Sequence, residues 1–154
     1  MTDDTSRVMI VDPREPTRTA LATLLSHEPG LVVAGEAGDV LAAMRAAQDP
    51  WIDVVLIDAS LAGLGTGPRE QALARLSRRT AVVVMGVDDA KFYSRPLQLA
   101  GAHGYWQKEA SLATLAQVLR AASRAAHLGR PRSNAPGKRV VHHRPAQQRH
   151  GQRN

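Results

Sequence analysis

The chain has 154 residues, a net charge of +6 and no cysteine, which excludes a disulfide framework and a thiolate metal site. No apolar run is long enough for a membrane span, and residues 1–7 lack the apolar core of a secretion signal, so we expect a cytoplasmic protein without membrane contact. The charge is uneven, since residues 1–128 contain 13 Lys and Arg against 14 Asp and Glu, whereas residues 129–154 contain seven and none.

This uneven pattern divides the chain into three parts. Residues 1–6 are polar, residues 7–128 contain the regular apolar patterns, and residues 129–154 are basic and rich in Gly, Pro, Gln and Arg. The last part has almost no apolar content, so it cannot offset the entropy of ordering. We predict a flexible N-terminus, a folded domain over residues 7–128 and a disordered basic tail over residues 129–154.

Five short apolar runs recur along the predicted domain. In chain order they are residues 8–11, 31–35, 54–58, 81–85 and 104–107. Continuous runs of this length are typical of strands that are buried on both faces of a parallel sheet. The stretch over residues 59–67 follows the third run, is rich in glycine and is predicted as a loop.

Apolar residues at helical spacing separate these runs. Pro16 suits the first turn of the first helix, and Asp39 and Ser111 suit the N-caps of two others. Further helices are predicted around Leu73 and over residues 89–100. Strands and helices that alternate five times predict an α/β fold, a doubly wound parallel sheet with helices on both faces.

Three charged residues stand where predicted strands end: Asp12, Asp58 and Lys108. In open α/β sheets, functional groups gather at the edge where the carboxyl ends of the parallel strands lie. A carboxylate can attack phosphorus to form an acyl phosphate, Mg²⁺ prefers carboxylate oxygens, and a lysine can neutralise phosphoryl oxygens. The residues alone leave a simpler interpretation open, in which Asp58 only caps a turn and Lys108 is an ordinary solvated lysine.

These residues belong to a wider pattern. It comprises residues 8–12, residues 31–39, residues 54–58 with Gly63, and residues 100–108. With this set the chain resembles, over about residues 6–127, the receiver domain of bacterial two-component response regulators, in particular of the subfamily joined to a helix-turn-helix output domain. The resemblance implies a flavodoxin-like (βα)5 fold in three layers, and a signalling protein rather than an enzyme.

The resemblance also implies roles for individual residues. Asp58 would accept a phosphoryl group from a histidine kinase, Lys108 would pair with that group, and Tyr105 would be the aromatic switch residue. A Mg²⁺ ion would be held at the positions of Asp12, Asp58 and Ser60.

Among the positions that depart from the family pattern, two bear directly on the phosphoryl chemistry. Pro13 stands where the family has a second adjacent acid, and proline offers neither a carboxylate nor an N–H. Gly86 stands where the family has a Ser or Thr whose hydroxyl binds the phosphoryl group. We therefore expect weak or absent Mg²⁺ binding. The hypothesis is an atypical, stand-alone receiver that acts through protein contacts in signal transduction and transcriptional regulation.

Two alternatives stay open. The first is a conventional receiver that a histidine kinase phosphorylates on Asp58. The second is a nucleic-acid-associated regulator whose residues 129–154 bind a polyanion by counterion release. Expected partners are a histidine kinase or another signalling protein, and the family implies a homodimer face at about residues 89–127.

Overall fold

The computed structural model describes residues 4–62, 68–89, 91, 95, 98–99 and 101–128. Outside these residues lie the predicted basic tail, most of the helix predicted over residues 89–100, and Gly63 of the family pattern.

Five parallel strands form one sheet. They are β1 (Ser6–Val11), β2 (Leu31–Ala37), β3 (Val54–Asp58), β4 (Ala81–Gly86) and β5 (Gly104–Gln107). Their order across the sheet is β2-β1-β3-β4-β5, and every neighbouring pair is parallel. The predicted flavodoxin-like, doubly wound parallel sheet is confirmed.

Helices connect these strands. The described helices are α1 (Glu15–Leu25), α2 (Val40–Ala46), α3 (Ala59–Ala62), α4 (Pro68–Ser77) and α5 (Leu112–Leu128). As predicted, Pro16 lies in the first turn of α1, and the Asp39 carboxylate accepts a hydrogen bond from the Ala42 N–H at 2.8 Å at the start of α2. None of the helices in the described part of the chain is long and apolar enough to cross a membrane.

The short helix α3 was not expected, because the sequence predicts a loop over residues 59–67. Residues Ala59–Ala62 are helical instead and follow β3 without a break. The Asp58 carboxylate accepts a hydrogen bond from the Ser60 N–H at 3.1 Å, which satisfies a donor that the helix start leaves unpaired. Local capping by Asp58 therefore stabilises a helical turn that glycine-rich composition alone does not indicate.

Alternate side chains of the central strands enter two separate cores. Leu56 faces a core that Leu25 of α1 and Leu119 of α5 complete. Ile57 faces a second core on the other side of the sheet, completed by Ala43 of α2 and by Leu76 of α4. Because β1, β3 and β4 are covered on both faces, their sequences are continuous apolar runs rather than alternating ones.

The carboxyl edge of this sheet collects the charged residues that the sequence singles out. Val11 of β1 is paired with Ile57 of β3, so Asp12 and Asp58, one residue further along, lie side by side. Gly86 of β4 pairs with Gln107 of β5, which brings Lys108 to the same edge. Asp12 is completely buried and Asp58 is 6% exposed.

Candidate functional site

Lys108 joins the two aspartates at the carboxyl edge. Its Nζ lies 2.5 Å from Asp58 Oδ1 and 3.5 Å from Asp12 Oδ2. Its backbone N–H donates to the Gly86 carbonyl at 2.8 Å, which holds the turn after β5 against the end of β4. Lys108 therefore contacts both of the aspartates that the sequence placed at strand ends, and it is not an ordinary solvated lysine.

Ser60 uses both of its donors on Asp58. The Ser60 N–H and the Ser60 hydroxyl both donate to Asp58 Oδ2. Asp58 thus caps α3 through one oxygen while the other oxygen meets Lys108. The simpler interpretation, in which Asp58 caps a turn, accounts for the contacts of its Oδ2 atom but not for the contact of Oδ1 with Lys108. Ser60 itself was predicted as a weak metal position, and its hydroxyl is directed at Asp58.

Arg14 is the site residue that sequence reasoning missed. Its Nε and Nη2 lie 3.2 Å from Asp12 Oδ1 and Oδ2 respectively, and its backbone N–H donates to Asp12 Oδ1 at 2.8 Å. The same Nη2 lies 3.5 Å from Asp58 Oδ1. The sequence held one clue, which is a basic residue two positions after Asp12, beside a proline that breaks the expected acidic pair.

The site is balanced in charge. Two carboxylates, from Asp12 and Asp58, face two cations, from Arg14 and Lys108. Burial raises the pKa of Asp58, but hydrogen bonds from Lys108 and Ser60 outweigh it, and the net pKa is lowered. The hydrogen bond and the charge of Asp12 raise the pKa of Arg14. Asp58 and Arg14 are therefore charged at neutral pH.

Gly86 and Tyr105 lie together beside this charged cluster. A Cβ atom at Gly86 would lie 2.6 Å from Tyr105 Oη and 3.3 Å from the Ala59 Cβ. The Tyr105 hydroxyl donates to the Asp88 carbonyl at 2.8 Å. The tyrosine hydroxyl therefore occupies the space that a side chain at position 86 would need, and this position offers no hydroxyl to the cluster.

The residues present do not fit a resident Mg²⁺ ion in this arrangement. Protein donors meet all four carboxylate oxygens of Asp12 and Asp58, and the Arg14 guanidinium bridges the two groups. Pro13 supplies no third carboxylate. Among the residues that the structure describes, no group of three or more His, Cys, Asp or Glu side chains is placed to hold a metal. Mg²⁺ binds carboxylate oxygens directly, at about 2.0–2.1 Å.

Two surface clefts lie away from the charged cluster. One, of about 430 Å³, runs between α2 and α4 and includes Leu41, Arg45 and Arg79 in its lining. The other, of about 650 Å³, lies along α1 between Glu15 and Leu24. Neither has Asp58 or Lys108 in its lining, so the described chemistry of the carboxyl edge does not extend into them.

Comparison with known proteins gives a consistent result. Residues 8–120 match the family model described as the response regulator receiver domain. The transcriptional regulatory protein LiaR of Bacillus subtilis is 35% identical over 120 residues, which are 77% of this chain and 56% of LiaR. The nitrate/nitrite response regulator protein NarP of Escherichia coli is 32% identical over 128 residues, 83% of this chain and 60% of NarP. The chain thus spans little more than half the length of these relatives.

A solved structure is similar over most of its length. It is a two-component response regulator of the LuxR family from Aurantimonas sp. SI85-9A1, with a TM-score of 0.63 and 27% identity. The match covers 82% of this chain and 87% of that one.

Proposed function

This chain belongs to the response regulator receiver family, and we propose that it is an atypical member in which Mg²⁺-dependent phosphorylation of Asp58 is impaired or absent. It acts in signal transduction through contacts with other proteins. The proposal extends to transcriptional regulation, because relatives are named as a transcriptional regulatory protein and as response regulators.

One observation carries this proposal: the assembled cluster lacks two chemical groups. Lys108 contacts both Asp58 and Asp12, so the acceptor position is intact in shape. Position 13 has no carboxylate for a metal, and position 86 has no hydroxyl for a phosphoryl group. Phosphoryl transfer depends on neutralising the charge of the transferred group, and metal ions usually supply most of that charge. Without these two groups, the protein keeps the receiver fold but transfers a phosphoryl group to Asp58 more slowly.

The conventional receiver is the alternative, and the contact between Lys108 Nζ and Asp58 Oδ1 favours it. Incubation of the full chain with acetyl phosphate and Mg²⁺, followed by intact-mass measurement, separates the two. We expect no mass increase of one phosphoryl group under conditions that label a conventional receiver run in parallel. Labelling that disappears in Asp58→Asn would establish the conventional alternative.

Protein contact as the output has its own test. The partner is proposed to be a histidine kinase, another signalling protein or a second copy of the chain, with about residues 89–127 as the contact face. Asp58→Asn should leave partner binding and oligomeric state unchanged, as measured by analytical ultracentrifugation and co-purification. Loss of both in a folded Asp58→Asn protein would contradict the proposal.

Polyanion binding by residues 129–154 stays a prediction from the sequence, since these residues lie outside those described. Deleting them should remove any nucleic-acid binding together with its salt dependence. Equal binding by the shortened chain would dismiss this function.

A further inference from the structure

We propose that Arg14 is a built-in cation that takes the place of a divalent metal at the Asp12–Asp58 pair. The cluster is then assembled without metal, and Mg²⁺ enters only when Arg14 leaves. This inference rests on the proposed function, because it explains how an atypical receiver keeps two buried aspartates side by side while it lacks a metal site.

Local sequence directs Arg14 back onto Asp12. Proline fixes its own φ and restricts the residue before it, so Pro13 limits the directions in which the chain can leave β1. The Arg14 N–H then donates to Asp12 Oδ1 at 2.8 Å, two residues back, in the manner of an Asx turn. This backbone bond places the Arg14 side chain over the same carboxylate.

The guanidinium suits this position better than a lysine would. Its planar fork lets Nε meet Asp12 Oδ1 and Nη2 meet Asp12 Oδ2, both at 3.2 Å. Nη2 also reaches Asp58 Oδ1 at 3.5 Å. One planar group therefore contacts both carboxylates and supplies positive charge that a metal ion would otherwise supply.

Charge explains why a second cation is needed. The side chains of Asp12 and Asp58 are 0% and 8% exposed, and two adjacent buried carboxylates with one lysine would keep a net charge of −1. Buried charge without a partner is strongly destabilising. Arg14 supplies the missing positive charge. Arg18, the next arginine, does not, because it donates to the Asp12 backbone carbonyl and pairs with Glu36.

Metal and arginine must compete for these oxygens. Arg14 contacts oxygens of both Asp12 and Asp58, and a Mg²⁺ ion at this pair would need carboxylate oxygens as its ligands. The Arg14 side chain is 58% exposed, so it can swing into solvent without opening either core. Removing Arg14 should therefore expose a two-carboxylate site that binds Mg²⁺, while the fold is retained.

Thermal unfolding of the full chain against Mg²⁺ concentration tests this competition. The probe is Mg²⁺ alone, without a phosphodonor. A ligand that binds only the folded state stabilises it by RT ln(1 + c/Kd), where c is the ligand concentration, so at one concentration a tighter site raises the midpoint further. We expect Arg14→Ala to unfold at a lower temperature without metal and to bind Mg²⁺ at least ~10-fold more tightly than the native chain. Arg14→Gln, which keeps most of the stem and removes the charge, should gain Mg²⁺ affinity as well.

Two control variants test whether the gain in Mg²⁺ affinity arises at the Asp12–Asp58 pair. Arg18→Ala removes an arginine of α1 that contacts the Asp12 backbone carbonyl and Glu36 but neither carboxylate of the pair, and it should respond to Mg²⁺ as the native chain does. Arg14→Ala combined with Asp58→Asn should lose the gain. An equal Mg²⁺ response in the native chain and in both Arg14 variants would overturn the inference. A gain that persists with Asp58→Asn would also overturn it, because the metal would then bind elsewhere.

Different results would contradict the proposed function and the role proposed for Arg14. Phosphorylation of the native chain by acetyl phosphate would contradict the proposed function, whatever the Arg14 variants do with Mg²⁺. Absence of a Mg²⁺ gain in the Arg14 variants would reject the built-in cation and leave the atypical receiver intact.

Discussion

Strand β3 has an aspartate at each end, and the surroundings of the two differ. Asp53 immediately precedes the strand and Asp58 is its last residue, and each side chain is 8% exposed. Asp53 accepts the Arg7 N–H at 2.8 Å and pairs with the Arg7 guanidinium at 3.5 Å and with His127 at 3.2 Å. In turn, the Arg7 guanidinium lies 5.1 Å from the centre of the Trp51 ring.

The surroundings of Asp53 and Asp58 differ because only Asp58 has a second carboxylate beside it. Among the described residues Asp53 meets the Arg7 N–H, the Arg7 guanidinium and the His127 ring but no second carboxylate, so its contacts tie β1 and α5 to the start of β3. Asp58 lies beside a second buried carboxylate, Asp12, and the pair needs two cations. The two aspartates are equally buried, but their roles differ. Asp53 holds neighbouring elements together at the start of β3, whereas Asp58 at its end belongs to a charged cluster that depends on two cations.

Truncating each aspartate should change stability most, and it tests whether the two ends of β3 differ. Asp53→Ala should lower the free energy of unfolding by about 2–3 kcal/mol, because it leaves the Arg7 N–H without its acceptor and removes the pairs with Arg7 and His127. Asp58→Ala should cost about 1 kcal/mol, mainly from the lost cap of α3, because the two cations keep Asp12 as a partner. Urea denaturation of both variants checks the difference. Equal losses would mean that both aspartates are simple anchors.

A smaller effect concerns Gly86 beside the Asp58 cluster. Gly86→Ser should lower the free energy of unfolding by about 1–2 kcal/mol, because its Cβ would lie 2.6 Å from Tyr105 Oη. Adding Tyr105→Phe removes that oxygen. The ring atom Cε2 would then lie 3.4 Å from the new Cβ, which is an ordinary van der Waals distance. A double-mutant cycle should therefore show coupling between the two positions. Additive losses would show that the two side chains do not compete for space.

The smallest effect appears in the pH dependence of stability. The folded pKa of Asp58 is lowered from its ordinary value near 3.8, so its contribution is present above that pH and is lost as pH falls through the lower, folded value. The native chain should thus lose stability relative to Asp58→Asn below about pH 4. Parallel unfolding curves of the two proteins at neutral and acid pH measure this difference. A constant difference across that range would contradict the lowered pKa.

Sequence reasoning predicted most of the fold because its evidence was local and periodic. The continuous apolar runs of the central strands require cover on both faces, and the capping residues Asp39 and Pro16 lie where they were expected. The helical turn at Ala59–Ala62 was missed, because its stabilising contact depends on the conformation of the Asp58 side chain. The meeting of Asp12, Asp58 and Lys108 could be predicted, since parallel strands end at one edge.

The amino-acid sequence alone was enough to predict the five-stranded parallel sheet, and it shows that position 13 has no second acid and position 86 has no hydroxyl. The folded structure was needed to show that Arg14 bridges Asp12 and Asp58, and that Tyr105 fills the space beside Gly86. The reason is physical. Backbone periodicity is encoded over a few neighbouring residues, whereas the direction of a long side chain depends on charges and free space that residues distant in sequence provide.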